Sequence, residues 1–473
     1  MRIFYVSPEV VPFAKTGGLA DVAGSLPKTL AELGHDVRII MPRYKMIDPK
    51  KWQLKKLNDE IWQGVLPGSK VMVYFYENEA YFASRDGLYQ LPGGIDYDDN
   101  LQRFSAFCQA GLRLLKAINW QPEIVHCNDW QSALAIAYLK ATYADDPFYK
   151  KMLTVYSIHN MAYLGLFNKE LLPLTGLGWD QFTPDRLEFW GNFSLAKAGI
   201  VYSDVINTVS EKYAQEIQTA EFGCGLDGLL RSRAKDVYGI VNGLDYDVWN
   251  PATDKNIPRR YSPATLDLKV FNKLELQKRN SLPQKKETPV IGITTRLADQ
   301  KGLDILSESL HAIMGLQCQL IVLGTGDQKY HDLLKEEKKR FPDQLGLNLG
   351  FDAALAELIY AGADMFLMPS HYEPCGLGQL ISFKYGTIPI VRKTGGLADT
   401  VQNFNSKTGD GTGFVFEEYH SEALIRTIKN ACDTFHKKNL WKALQEKVMR
   451  LDYSWEASAK KYVELYAKAT GKF

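Results

Sequence analysis

Short runs dominated by Val, Ile and Leu recur along the chain, separated by longer stretches with apolar residues at helical spacing. Continuous apolar runs of this length read as strands buried on both faces, and strands alternating with helices build parallel sheets through crossover connections. In the first half the pattern predicts strands at Ile3–Val6, Val37–Met41, Val71–Tyr76, Ile124–Cys127, Leu153–Ile158, Val205–Val209 and Tyr238–Val241. It restarts at Val290–Thr294, Leu320–Leu323, Leu345–Leu349, Met365–Met368, Ile388–Val391 and Phe414–Phe416. The class is therefore α/β, with two successive parallel sheets. Between the halves, the stretch from Asn250-Pro251 to Pro283-Gln284-Lys285-Lys286 is richer in Pro and charge and shows no strand. It reads as the connection, beginning near Tyr246, and divides the chain into domains at 1–245 and 246–454. The stretch 455–473, periodic from Trp455 to Tyr466, reads as a helix that crosses back to the first domain. Many strands run straight into polar or small residues, as in His126-Cys127-Asn128-Asp129, His159-Asn160 and Gly324-Thr325-Gly326-Asp327. Ligands of open α/β sheets bind outside these strand ends.

With 473 residues there is room for two or three domains. Lys+Arg number 56 and Asp+Glu 55, a formal net charge of +1. A chain so balanced lacks the long-range field of a general nucleic-acid or anionic-membrane binder, and neither partner is expected. No apolar run is long enough to span a membrane, and the opening Met1–Glu9 is too short an apolar stretch for a signal peptide. Cysteines stand at 108, 127, 224, 318, 375 and 432 without a CxxC pair, which offers neither a local zinc site nor a secreted disulfide framework. The expectation is a soluble, cytoplasmic, enzyme-sized protein.

One heptapeptide occurs twice, as Lys15-Thr16-Gly17-Gly18-Leu19-Ala20-Asp21 and as Lys393-Thr394-Gly395-Gly396-Leu397-Ala398-Asp399. Paired glycines let a turn approach a ligand, and a helix start behind them offers N–H groups and positive dipole to an anion. Gly223-Cys224-Gly225-Leu226-Asp227-Gly228 spells a dinucleotide fingerprint, but a helix rather than a strand precedes it, so it reads as a loop. Asp96-Tyr97-Asp98 and Asp245-Tyr246-Asp247 have the D-x-D form used to hold a cation on a diphosphate, without supporting context, and no metal is expected. Arg296 and Lys301 flank a turn after a strand, where two cations can grip two phosphates. Glu373 heads Pro374-Cys375-Gly376-Leu377 after another strand.

Taken together, the Lys15–Asp21 segment, His126-Cys127-Asn128-Asp129-Trp130, His159-Asn160, Val241-Asn242-Gly243-Leu244-Asp245, Arg296 with Lys301-Gly302, Glu373–Leu377 and Lys393–Leu397 resemble bacterial glycogen synthases and plant starch synthases, from residue 1 to Tyr453-Ser454-Trp455. The resemblance implies two facing Rossmann-like domains, the GT-B arrangement, with the active site in the cleft. It also implies glucose transfer from ADP-glucose to the non-reducing end of an α-1,4-glucan, with retention of configuration and without metal or cofactor. Glu373, His159 and Asp129 would be the catalytic set. Lys15, Gly17, Gly18, Asp21, Asn242, Arg296, Lys301, Gly376, Leu377, Thr394 and Gly395 would bind substrate, and Phe351 would stack on adenine. Gly378 and Glu357 depart from side chains common in relatives, Thr and His respectively. The start at the first strand, without a plastid transit peptide, fits a bacterial chain or a mature fragment; the plastid stroma would apply only to the latter. The alternatives are an α-glucan phosphorylase, whose pyridoxal-phosphate signature is not seen, and a non-catalytic glucan-binding protein. Oligomeric state is left open.

Overall fold

The computed structural model describes residues 1–91 and 94–471. They form two compact units, Met1–Gly243 with Trp455–Phe473, and Leu244–Ser454.

The first unit is built on a nine-stranded sheet. Its order is Val237–Gly239, Val205–Thr208, Leu153–Ile158, Ile124–Asn128, Arg2–Val6, Asp36–Pro42, Met72–Tyr76, Ile61–Val65, Lys55–Lys56. The first seven are parallel, and the last two add antiparallel at one edge. Arg2–Val6 takes the middle because Ile3, Phe4, Tyr5 and Val6 are all apolar and at most 1% exposed, as a strand covered on both faces requires. From it the chain steps outward to Asp36–Pro42, then returns to Ile124–Asn128 on the other side. The strand order thus reverses between Arg2–Val6 and Ile124–Asn128, and open α/β sheets bind ligands at the C-terminal ends of strands at such a switch point. The helix Trp455–Ala469 joins this unit: Tyr466 Oη lies 2.8 Å from His126 Nδ1, and Tyr462 Oη accepts from Asn207 Nδ2 at 3.0 Å. A small antiparallel sheet of Leu166–Asn168, Asn192–Ser194 and Glu188–Phe189 lies outside the expected strands, because two or three residues carry no periodic signal.

The second unit has a six-stranded parallel sheet in the order Leu345–Leu349, Gln319–Gly324, Val290–Thr294, Met365–Met368, Ile388–Arg392, Phe414–Phe416. Its order reverses between Val290–Thr294 and Met365–Met368. The stretch from 250 to 286, read from sequence as a connection, is instead folded into this unit. The helix Lys269–Arg279 lies within it. The Lys269 ammonium donates to Ala361 O at 2.8 Å and Thr387 Oγ1 at 2.7 Å, and Lys273 pairs with Asp364 at 2.6 Å. Its buried face carries Lys269, Asn272, Lys273 and Gln277, so hydrophobic patterning misses it. The chain passes between units at Gly243–Leu244 and Ser454–Trp455.

Candidate active site

Around the first unit's switch point, the segment after Arg2–Val6, Asp129 and His159 all follow strand ends. Asp129 adopts φ 53°, ψ −179°, a conformation costly for a residue with a Cβ and one that collects at functional sites. Its N–H donates to Ser157 O at 2.9 Å, and its Oδ1 accepts from the His159 N–H at 2.7 Å. Burial, aided by the negative charge of Glu9, pushes the Asp129 carboxyl up to about 7 against the N–H groups of His159 and Asn160. His159 Nε2 lies 3.0 Å from Asn128 Oδ1, and burial lowers the imidazole to about 4, so it is neutral at pH 7. Both residues are half-buried.

Sequence reasoning missed Glu9, which is 4% exposed. Its carboxylate accepts from Thr16 N, Thr16 Oγ1 at 2.5 Å, Gly17 N at 3.3 Å and Tyr89 Oη at 2.6 Å. An acid directly after a strand end was the available signal. Of the amides at this turn, Glu9 holds those of Thr16 and Gly17, and the helix starts just behind them at Gly18. Lys15 lies at the surface, paired with Asp21 at 2.8 Å. A methyl added at Gly17 or Gly18 would meet nothing within 4 Å, so the space beside this turn is open.

In the second unit, Lys301 Nζ and Glu373 Oε2 lie 2.6 Å apart, and Ser370 Oγ donates to the same oxygen at 3.1 Å. Gly302, at φ 74°, brings Lys301 there: a Cβ on Gly302 would sit 2.0 Å from Pro369 O. A pocket of about 140 Å³ opens beside the pair, with Thr294, Lys301, Ser370, Glu373, Gly376 and Leu377 in its wall. The second heptapeptide does a different job from the first. A Cβ on Gly395 would lie 1.9 Å from Glu373 O, and one on Gly396 2.1 Å from Cys375 O. Gly396 N donates to Glu373 O and Pro374 O at 3.2 and 3.1 Å. These glycines seat the Glu373 loop, a packing role the sequence did not show. Thr394, 1% exposed, donates its N–H to Arg392 O at 3.0 Å.

The other expected residues range from exposed to buried. Arg296 is exposed and bonds Gln300 at 3.1 Å. Phe351, after Gly350, is 94% exposed. Asn242 lies beyond the sheet's edge strand, and its Oδ1 is buried without a hydrogen-bond partner. Gly378 fits where a Cβ would lie 2.8 Å from the Phe366 ring, and Glu357 accepts from Asn256 at 2.6 Å. Asp96 accepts from Gln90 at 2.9 Å and Asp245 from Asp247 N at 2.9 Å, within their own turns. Among the described residues, no cluster of three or more His, Cys, Asp or Glu is arranged to hold a metal.

Two mainly parallel sheets of Rossmann type in one chain, each with charged side chains gathered at its switch point, fit a glycosyltransferase of the two-domain class. Residues 2–232 match the family described as "Starch synthase catalytic domain", and residues 275–443 match "Glycosyl transferases group 1". Glycogen synthases of Thermotoga maritima and Desulforudis audaxviator are each 46% identical over 100% of this chain, and over 99% and 97% of their own lengths. The catalytic domain of starch synthase IV from Arabidopsis thaliana, solved bound to ADP and acarbose, is 33% identical with a TM-score of 0.90 over 99% of each chain. A sucrose-phosphate synthase from Thermosynechococcus elongatus, at 16% identity and TM-score 0.63, shares the fold. The chain belongs to the glycogen and starch synthase family. No helix among the described residues is long and apolar enough to cross a membrane.

Proposed function

We propose that the chain uses ADP-glucose to extend an α-1,4-glucan at its non-reducing end with retention of configuration, and that the residues gathered at the two switch points carry the reaction. The observation that carries this reading is the Lys301–Glu373 pair at 2.6 Å beside an open pocket. As the bond between glucose C1 and the phosphate oxygen breaks, negative charge collects on ADP and positive charge on the sugar. Preorganised cations aimed at the leaving group are the largest stabilising effect available. Lys301 and Arg296 meet the diphosphate, with Lys15 as a further cation. Glu373 holds Lys301 in place and supports the sugar's developing positive charge. Gly376, Leu377 and Thr394 shape the donor side. Phe351, open on its ring faces, stacks on adenine. Gly17, Gly18 and Asp21 border the acceptor, and Asn242 turns its unpartnered oxygen to the sugar. Asp129 and His159 orient the transferred glucose. The departing phosphate oxygen takes the proton of the acceptor hydroxyl, whose oxygen bonds C1 on the face the phosphate leaves. ADP in the Arabidopsis relative supports the adenine base. The cytoplasm is the proposed compartment, in keeping with six cysteines of which none is disulfide-bonded.

Glucosyl transfer to glycogen, measured in parallel from ADP-glucose and UDP-glucose, tests the reading. Faster transfer from ADP-glucose is expected; equal rates sink the donor assignment, and transfer from neither sinks the function. EDTA leaves the rate unchanged in the same assay, because Lys301, Arg296 and Lys15 do the work of a cation; a loss restored by Mg²⁺ overturns that.

A further inference from the structure

Asn128 is wholly buried, with an exposure of 0%, between Val6, Tyr5 and His159. Its contacts permit one orientation of the amide. Val6 O lies 3.1 Å from one amide atom. A carbonyl only accepts, so that atom is Nδ2. Oδ1 is therefore the atom 3.0 Å from Tyr5 Oη and 3.0 Å from His159 Nε2. Turning the amide over would set two oxygens face to face at the Val6 contact and leave a buried acceptor unmatched. An amide oxygen cannot donate, so both Tyr5 Oη and His159 Nε2 must bring a hydrogen.

A neutral imidazole carries one N–H. If it is on Nε2, Nδ1 is a bare acceptor. The charged and titratable groups around the ring do not supply a second proton. Asp129 spends Oδ1 on the main-chain N–H of His159, and Glu9 lies behind it, bonded to Thr16, Gly17 and Tyr89. His126, on the strand of Asn128, is bonded to Tyr466 and Ser157 and lowered by burial to about 3. Tyr5 donates to the same Asn128 oxygen and is raised by burial. Burial likewise holds His159 below the neutral range.

We infer that Asn128 is a positioning residue that fixes His159 as the Nε2–H tautomer, so that His159 meets its substrate through Nδ1 as a hydrogen-bond acceptor. The group it receives is a hydroxyl of the transferred glucose, a point that rests on the proposed function; the tautomer does not. His159 then orients the sugar in one sense only, since Nδ1 bonds an O–H and rejects a carbonyl or ether oxygen in its place.

Long-range ¹H–¹⁵N spectra of protein labelled at its 8 histidines test the tautomer directly, with His159 assigned by His159→Gln. The expected result is a proton-bearing Nε2 and a bare Nδ1, unchanged between pH ~5.5 and ~8. A proton on Nδ1, or titration of His159 within that range, overturns the inference from the wild-type spectrum alone, whether or not variants fold. In Asn128→Ala the two nitrogen signals should move toward each other as both tautomers populate; unchanged signals would show that Asn128 does not set the tautomer. Donor analogues with one hydroxyl replaced by fluorine, which accepts but cannot donate, test the contact. At one position the fluorine analogue should cost about 10-fold in kcat/KM with wild type, as a lost hydrogen bond of ordinary strength predicts, and much less with Asn128→Ala. If no position depends on Asn128 while the tautomer is as expected, the hydroxyl contact is overturned. Absence of all transfer would instead count against the proposed function, with the spectrum still deciding the tautomer.

Discussion

Lys301 and Glu373 show why a residue's role depends on its partner. Their side chains are 18% and 9% exposed, so removing either strands a largely buried charge. Lys301→Ala should weaken ADP binding about 10- to 100-fold, the range of a lost charge-assisted bond. Calorimetric titration with ADP reads this directly, and unchanged affinity would remove Lys301 from the donor site. Asp129 carries a linkage of definite sign. Its folded carboxyl titrates near 7 rather than near 3.9, so the folded state holds the proton more tightly. This group's contribution is intact in acid and is lost as pH rises from about 4 through about 7. Asp129→Asn should match wild-type stability near pH 4 and exceed it above pH 7 by about 2 kcal/mol, because solvent at the half-buried carboxylate screens part of the cost of its charge. Its transferase rate should fall steeply. Urea denaturation at both pH values checks the sign; a variant less stable than wild type at pH 8 contradicts it.

At the scale of elements, the two copies of Lys-Thr-Gly-Gly-Leu-Ala-Asp separate sequence from role. Gly395 sits at φ 43° with the Glu373 carbonyl where a Cβ would go, whereas Gly17 has open space. Gly395→Ala should therefore cost stability, roughly 2–4 kcal/mol from strain and displaced backbone, and reduce activity through the Glu373 loop. Gly17→Ala should leave the melting temperature within a degree or two of wild type, an effect of ~0.5 kcal/mol, while lowering transfer to glycogen. Thermal melts and rates on both variants decide between them: equal melting losses would mean the copies do the same work.

For the whole molecule, the tail is the connection that matters to folding. Trp455, Ala459, Tyr462, Leu465 and Tyr466 are all at most 6% exposed, although Trp455 follows Gly243 by more than two hundred positions. At about 1.5–3 kcal/mol for each large side chain, their burial is comparable to the ~5–15 kcal/mol stability of a domain. A chain ending at Ser454 should lose the first unit's cooperative unfolding transition and keep the second's. Scanning calorimetry shows this, and two intact transitions would mean the helix is dispensable.

The parallel sheets were legible because a strand covered on both faces must be largely apolar, and such runs as Ile3–Val6 and Leu320–Leu323 are visible locally. The strand-end residues Asp129, His159, Lys301 and Glu373 were legible for the related reason that chemistry collects where such strands stop. The helix Lys269–Arg279 was not, since polar side chains that find buried partners break the hydrophobic pattern. Nor were the bonds of Glu9 to Tyr89, of Asn128 to His159, or of Lys301 to Glu373, which join positions 80, 31 and 72 residues apart. Composition, strand positions and the chemical types at strand ends are properties of nearby residues, and the sequence alone determines them. Which of those ends meet, which amides are already taken and which histidine nitrogen stays bare depend on strand order and loop packing, and only the tertiary structure decides them.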